Sequence, residues 1–213
     1  MPPQPRSFLA EKLARQFRLL ERTRANIDTL VIGGLLSDDA ADRMYEALFL
    51  SAHVAIEGFI EELFLGLLVR DRGVRSGRGD IKPRIEVRSH RIARELITGA
   101  GRKYVDWLPY DRTVDLAKLF FRGGRPFDDL TQIQKQLLSR GHIIRNAIAH
   151  RSRYSLGQFE RHVIFSTPLP PRERQPAGYL RGLFRASPAQ TRFSNLLAQL
   201  LLCRGIHVKR DTS

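Results

Sequence analysis

Only one cysteine, Cys203, occurs in 213 residues. An intrachain disulfide is therefore excluded, and so is a zinc site built from several thiolates. Cys203 lies among leucines and reads as a core residue rather than a nucleophile. A chain of this kind fits a reducing cytoplasm. The N-terminal MPPQPRSF lacks the apolar core of a secretory signal. No uninterrupted apolar run reaches the roughly 20 residues that cross a bilayer, so no membrane partner is expected and the expected location is cytoplasmic. The Glu-x-x-His pairs needed by a di-metal helical bundle are missing as well. There is no internal repeat, and no clear helix–turn–helix with a recognition helix. No metal or other cofactor is expected.

Acidic residues are also scarce, but unevenly. Residues 1–69 carry seven basic and ten acidic side chains, whereas residues 70–213 carry 29 basic and 12 acidic ones. The formal net charge is +14, and 30 of the 36 basic residues are arginine. Arginine forks onto phosphate and stacks on bases, so nucleic acid is the partner class that this charge favours. Genome composition is the competing source of such an excess.

Apolar periodicity predicts an all-α chain. A first helix is expected over 7–31, capped by Ser7, with Phe8, Leu9, Leu13, Phe17, Leu20, Ile27 and Leu30 near one face and Gly33-Gly34 ending it. A second is expected over 38–69, capped by Ser37, with Asp38, Asp39 and Asp42 at the positive end of its dipole. Its run ALFLSAHVAIEGFIEELFLGLL is apolar on more than one face, which predicts a central helix. His53, Glu57 and Glu61 recur within it at four-residue spacing, a stripe that is either solvated or lines a site. Residues 70–84, rich in glycine and arginine, read as a basic loop. Shorter helices are expected over 86–98 and 112–121, and a longer one over 128–150 with Asp128 and Asp129 at its start. Its buried stripe would be Leu130, Ile133, Leu137, Leu138, Ile144 and Ile148, with Gly141 admitted for close packing. Residues 156–166 suit a short helix or a strand, prolines at 168, 170, 171 and 176 mark an irregular crossing, and Ser187-Pro188 would open a last helix. The expected divisions are 1–154, containing the basic loop, and a C-terminal extension over 155–213 packed on the same domain.

The chemistry-bearing stretch is GHIIRNAIAHRSRY, residues 141–154. Asn146 and His150 are four apart and share a helix face, while Arg145 lies about 140° around from His150. A long arginine can lean across that angle, more easily if the helix frays. Arginine neutralises phosphate, histidine moves protons near neutral pH, and asparagine orients a neighbour or a ribose hydroxyl. Those are the needs of metal-free RNA cleavage. The bland alternative leaves His150 interacting with the helix dipole at a C-terminus.

The pattern Arg145-Asn146-Ala147-Ile148-Ala149-His150 resembles the HEPN superfamily (higher eukaryotes and prokaryotes nucleotide-binding domains), whose signature is Arg-x4-6-His with a polar residue after the arginine. The likeness extends over roughly residues 8–154 and includes AIEGFIEELF in the long helix. It implies a compact helical bundle of about five to seven helices, with a C-terminal helical extension beyond it. It also implies a homodimer with both motifs in one composite cleft, and a metal-independent endoribonuclease of toxin–antitoxin or antiviral defence systems. Arg145 would polarise the scissile phosphate, His150 would serve as acid/base or stabilise the leaving oxygen, and Asn146 would position one of them. Arg151, Arg153 and Tyr154 would grip backbone or base, and Glu57 would stand behind the site. RNA, a second copy and an antitoxin or defence-system partner are the expected partners. The alternative is a non-catalytic scaffold of the same type that binds nucleic acid or an acidic protein.

Overall fold

Five helices begin at a serine or threonine whose side-chain oxygen accepts from an amide of the first turn. The bonds are Ala40 N to Ser37 Oγ at 3.3 Å, Ile92 N to Ser89 Oγ at 3.3 Å and Gln134 N to Thr131 Oγ1 at 3.3 Å. Ser155 N donates to Ser152 Oγ and Ser194 N to Thr191 Oγ1, both at 3.1 Å. Each satisfies a donor that the helix leaves unpaired. In the computed structural model, which describes residues 8–71, 74, 81, 83–99, 104–165, 167–185 and 187–203, the helices run in the order α1 (Phe8–Ile32), α2 (Asp38–Leu68), α3 (His90–Thr98), α4 (Tyr110–Phe120), α5 (Gln132–His150), α6 (Arg153–Phe159), α7 (Pro176–Arg181) and α8 (Arg192–Leu202). A two-stranded antiparallel hairpin, β1 (Leu183–Arg185) with β2 (Gln190–Thr191), is the one sheet among the described residues. The class is all-α. Among the described residues no helix is long and apolar enough to cross a membrane.

Several boundaries differ from the sequence expectation, each for a local reason. The motif helix starts at Gln132, because Thr131 and Gln134 form a reciprocal capping box in which Thr131 N donates to Gln134 Oε1 at 2.9 Å. Asp128 and Asp129 occupy a preceding 3-10 turn, and Asp128 accepts from Lys135 Nζ at 2.7 Å. The third helix starts at His90 rather than 86, where Ser89 caps it. Ser187-Pro188 lies in the turn of the hairpin, and the last helix waits for the Thr191 cap. Residues 153–164 are helical, with a π turn at Glu160–Ile164 following α6. Phe8, Leu30 and Ile133 are exposed instead of buried. A Cβ added at Gly141 would meet nothing within 4 Å, so close packing does not explain that glycine. Ser7 and most of 70–84 lie outside the described residues. The end of that loop is anchored, since Pro83 bridges Phe121 and Arg84 N donates to Phe120 O at 2.7 Å.

Two compact units share the chain. The first comprises Met1–Ala14, Ile56–Leu138 and Leu202–Ser213. Its centre is aromatic. Phe64 packs on Trp107 at 5.2 Å, on Phe121 and Phe127 at 5.0 Å each, and on Phe120 at 6.0 Å between ring centroids. Residues 63–68 of α2 are all buried. Successive residues step 100° around a helix, so this stretch is enclosed on every side. The two buried hydroxyls nearby are satisfied, Tyr110 by Phe127 O at 2.9 Å and Thr113 by Trp107 O at 2.6 Å. Burial pushes the Cys203 thiol up to about 12, as suits a core residue.

The second unit comprises Arg15–Ala55 and Ser139–Leu201. Tyr45 is buried against Phe193, with its hydroxyl donating to Asp28 at 2.7 Å. Burial raises its pKa, and the Asp28 carboxylate adds to that. Much of the rest is held by arginines. Arg172 and Arg181 bind Asp38 and Asp42 at the start of α2. Hydrogen bonds from Arg172, then from Arg181, bring the Asp38 carboxyl down to about 2. Arg192 bonds Glu173 at 2.6 Å, and Arg140 Nη2 donates to Val163 O at 2.9 Å and Tyr179 OH at 2.6 Å.

Candidate functional site

The last two turns of α5 lie in the second unit and carry the motif. Ile144, Ala147 and Ile148 are buried and fix this helix on one side. Arg145 and Asn146 are half-buried beside that stripe, and His150 is exposed at the helix end. Helical geometry continues through His150, and Arg151 N still donates to Ala147 O at 3.2 Å. Arg151 then leaves with φ 47°, the left-handed conformation that terminates helices. A residue with a Cβ adopts it at a cost of about 1–2 kcal/mol. The Arg151 guanidinium is tied to the Glu46 carboxylate on α2.

Three polar contacts connect four side chains. Arg145 Nη1 lies 3.4 Å from His150 Nε2 and donates to Asn146 Oδ1 at 3.0 Å. Asn146 Nδ2 lies 3.0 Å from His142 Nε2. The sequence placed Arg145 and His150 on different faces, yet the guanidinium reaches the imidazole without any fraying of the helix. Asn146 turns away from His150 and toward His142, the residue one turn earlier.

Proton bookkeeping follows from the donors. A guanidinium has no acceptor, so the Asn146 atom facing it is the carbonyl oxygen. The amide nitrogen then faces His142. A guanidinium only donates, so in the contact with Arg145 the His150 Nε2 is the accepting atom. An accepting nitrogen is what a general base requires.

The other expected residues are spread out. Arg153 and Tyr154 sit in the first turn of α6 with exposed side chains, Tyr154 at 77 %. Glu57 is half-buried on α2, within the stretch assigned to the first unit. Glu61 of the same stripe pairs with Arg94 at 2.6 Å. His53, the first residue of that stripe, is buried at 4 % exposure, and its ring centroid lies 5.9 Å from that of His142. His142 and Glu46 were missed from the sequence. The His142–Asn146 spacing of four was visible there, whereas Glu46 and Arg151 are separated by 105 positions and meet only in the fold.

Among the described residues, no group of three or more histidine, cysteine, aspartate or glutamate side chains is arranged to hold a metal ion. Comparison of the chain with protein-family models, curated proteins and solved structures returned no match.

Proposed function

We propose that the chain is a metal-independent endoribonuclease of the HEPN type, acting as a homodimer in a toxin or phage-defence role. The observation that carries this reading is the approach of the Arg145 guanidinium to His150 Nε2, 3.4 Å, at the exposed end of α5. Arg145 binds a nonbridging oxygen of the scissile phosphate and stabilises the charge that grows there. As the guanidinium turns to phosphate, His150 Nε2 is released to take the proton of the neighbouring 2′-hydroxyl. The 2′-oxygen bonds to phosphorus and the bond to the 5′-oxygen breaks. That oxygen leaves with a proton, giving a 2′,3′-cyclic phosphate and a 5′-hydroxyl. In a homodimer the second copy's motif provides a second acid/base for the leaving oxygen.

Two surface features support binding of RNA and of a second copy. Arg15, Arg18 and Arg22 stand on the outer side of α1, exposed and without ion pairs among the described residues, at three- and four-residue spacing suited to one phosphate strand. Met44, Ala47, Ser51 and Val54 form an exposed row on α2 at the spacing of a helix–helix seam.

The test is cleavage of diverse RNAs by the purified protein with EDTA present, followed by analysis of the new ends. Undiminished cleavage that leaves cyclic phosphates is the expected result. Cleavage abolished by EDTA, or ends bearing 5′-phosphates, contradicts the mechanism. RNA binding without any cleavage returns the chain to the scaffold alternative.

A further inference from the structure

We infer that His142 is a positioning residue for this site: as the neutral tautomer protonated on Nδ1, it accepts from Asn146 Nδ2 and holds the Asn146 amide with its oxygen toward Arg145. Its role in catalysis rests on the ribonuclease reading, but its geometry does not.

The assignment follows from which groups can only donate. Arg145 Nη1 lies 3.0 Å from the Asn146 side chain and has no lone pair to offer, so the amide oxygen faces it. The amide nitrogen, itself only a donor, is therefore the atom 3.0 Å from His142 Nε2. Nε2 must accept, and a neutral ring that accepts at Nε2 carries its proton at Nδ1. That nitrogen is buried, and the His53 ring packs beside it with centroids 5.9 Å apart. His142 and Asn146 are one helical turn apart on α5, so the link needs no distant element to form it.

Without the His142 acceptor, the Asn146 amide is held at its oxygen alone, by the Arg145 contact, and its NH2 end is free to swing. A rotated amide sets NH2 against guanidinium, donor against donor. Arg145 then loses the anchor that fixes Nη1 between Asn146 and His150. His142 does not touch the reacting phosphate. It acts through Asn146, as an outer hydrogen-bond partner orients the group in front of it.

The experiment has two readouts on the full-length protein. Nitrogen-15 NMR of the histidine side chains reads the tautomer directly and needs no substrate. Wild type is expected to show His142 neutral and protonated at Nδ1, and Asn146→Ala to lose that preference. A wild-type His142 protonated at Nε2, or a tautomer unmoved by Asn146→Ala, overturns the inference.

Cleavage kinetics supply the second readout. His142→Leu is expected to lower kcat roughly tenfold, at the low end for an orienting partner, with KM nearly unchanged. His142→Gln places an amide oxygen near the Nε2 position and is expected to recover most of that loss. In an Asn146→Ala background, His142→Leu should cost nothing further, because the two act as one unit. Equal losses in both backgrounds, with no rescue by glutamine, overturn the positioning role. Circular dichroism melts confirm that each variant is folded. A wild type that cleaves no RNA while His142 keeps its Nδ1–H tautomer overturns the ribonuclease reading and leaves the positioning intact.

Discussion

Each unit is held together internally by a different kind of force. Around Phe64 the first unit is aromatic, with four rings between 5.0 and 6.0 Å from the Phe64 ring. In the second unit, arginine side chains do much of the joining. Those of Arg24, Arg181 and Arg192 are only 15–18 % exposed and pair with carboxylates. Apolar packing fills space but gives little direction, whereas forked guanidinium groups fix angles. The candidate site lies in the unit built the second way. A guanidinium that must reach both Asn146 and His150 belongs to the same style of construction.

Phe64→Ala should destabilise the protein most, by about 3–5 kcal/mol, since it opens a cavity among rings that cannot close over it. Urea titration followed by tryptophan fluorescence measures this, and the loss should hardly change with salt. A loss below about 1 kcal/mol would mean that the aromatic cluster is not the support described here.

Arg140→Met is expected to cost about 1–3 kcal/mol, because it leaves the Val163 carbonyl and the Tyr179 hydroxyl without their donor. A neutral outcome by thermal melting would show that apolar packing, not hydrogen bonding, holds the second unit.

Gly141→Ala should stabilise by about 1 kcal/mol, since alanine is the better helix former. The added Cβ meets nothing within 4 Å. For a chain of this size the melting temperature should rise by about 2–4 °C. A fall would show that the motif helix relies on flexibility at this residue.

The smallest effect concerns Asp38. Its folded pKa of about 2 lies below the ordinary 3.8, because Arg172 and then Arg181 hydrogen-bond the ionised form. Stability from this group is fully present above about pH 3.8 and is lost as pH falls through about 2. The carboxylate is exposed, so salt weakens the contribution. Melting temperatures of wild type and Asp38→Asn should differ slightly at pH 5 and converge near pH 2. An equal gap at both pH values would remove the pair from the forces that hold the second unit.

Helix number and position were largely legible because apolar spacing and Ser/Thr caps are local signals. Ser37 and the Gly33-Gly34 stop needed only their neighbours. The start of α5 was misplaced because Asp128 and Asp129 resemble a helix beginning, while the capping box three residues on competes and wins. The hairpin was not legible. Leu183, Phe184 and Arg185 are all exposed, so no alternation of burial marks a strand. Charge misled in a different way. The tally located the basic surface in residues 70–213, but Arg140, Arg172, Arg181 and Arg192 there are engaged inside the second unit. Among the described residues, exposed arginines without an ion pair remain in 70–213, Arg88, Arg122 and Arg153 for example, but Arg15, Arg18 and Arg22 on α1 are such arginines too, within the segment of net negative charge. In the candidate site, Arg145, Asn146 and His150 were readable as a pattern. Whether Asn146 turned forward to His150 or back to His142 depended on side-chain geometry that spacing leaves open.

On the proposed reading, Arg145 and His150 cut RNA together. The direct measurement is the cleavage rate of wild type, Arg145→Ala and His150→Ala on the same RNA in EDTA, with folding verified. Each substitution is expected to lower the rate at least about 100-fold, the scale of losing a charge stabiliser or a general base. Cleavage by either variant at the wild-type rate would contradict the account.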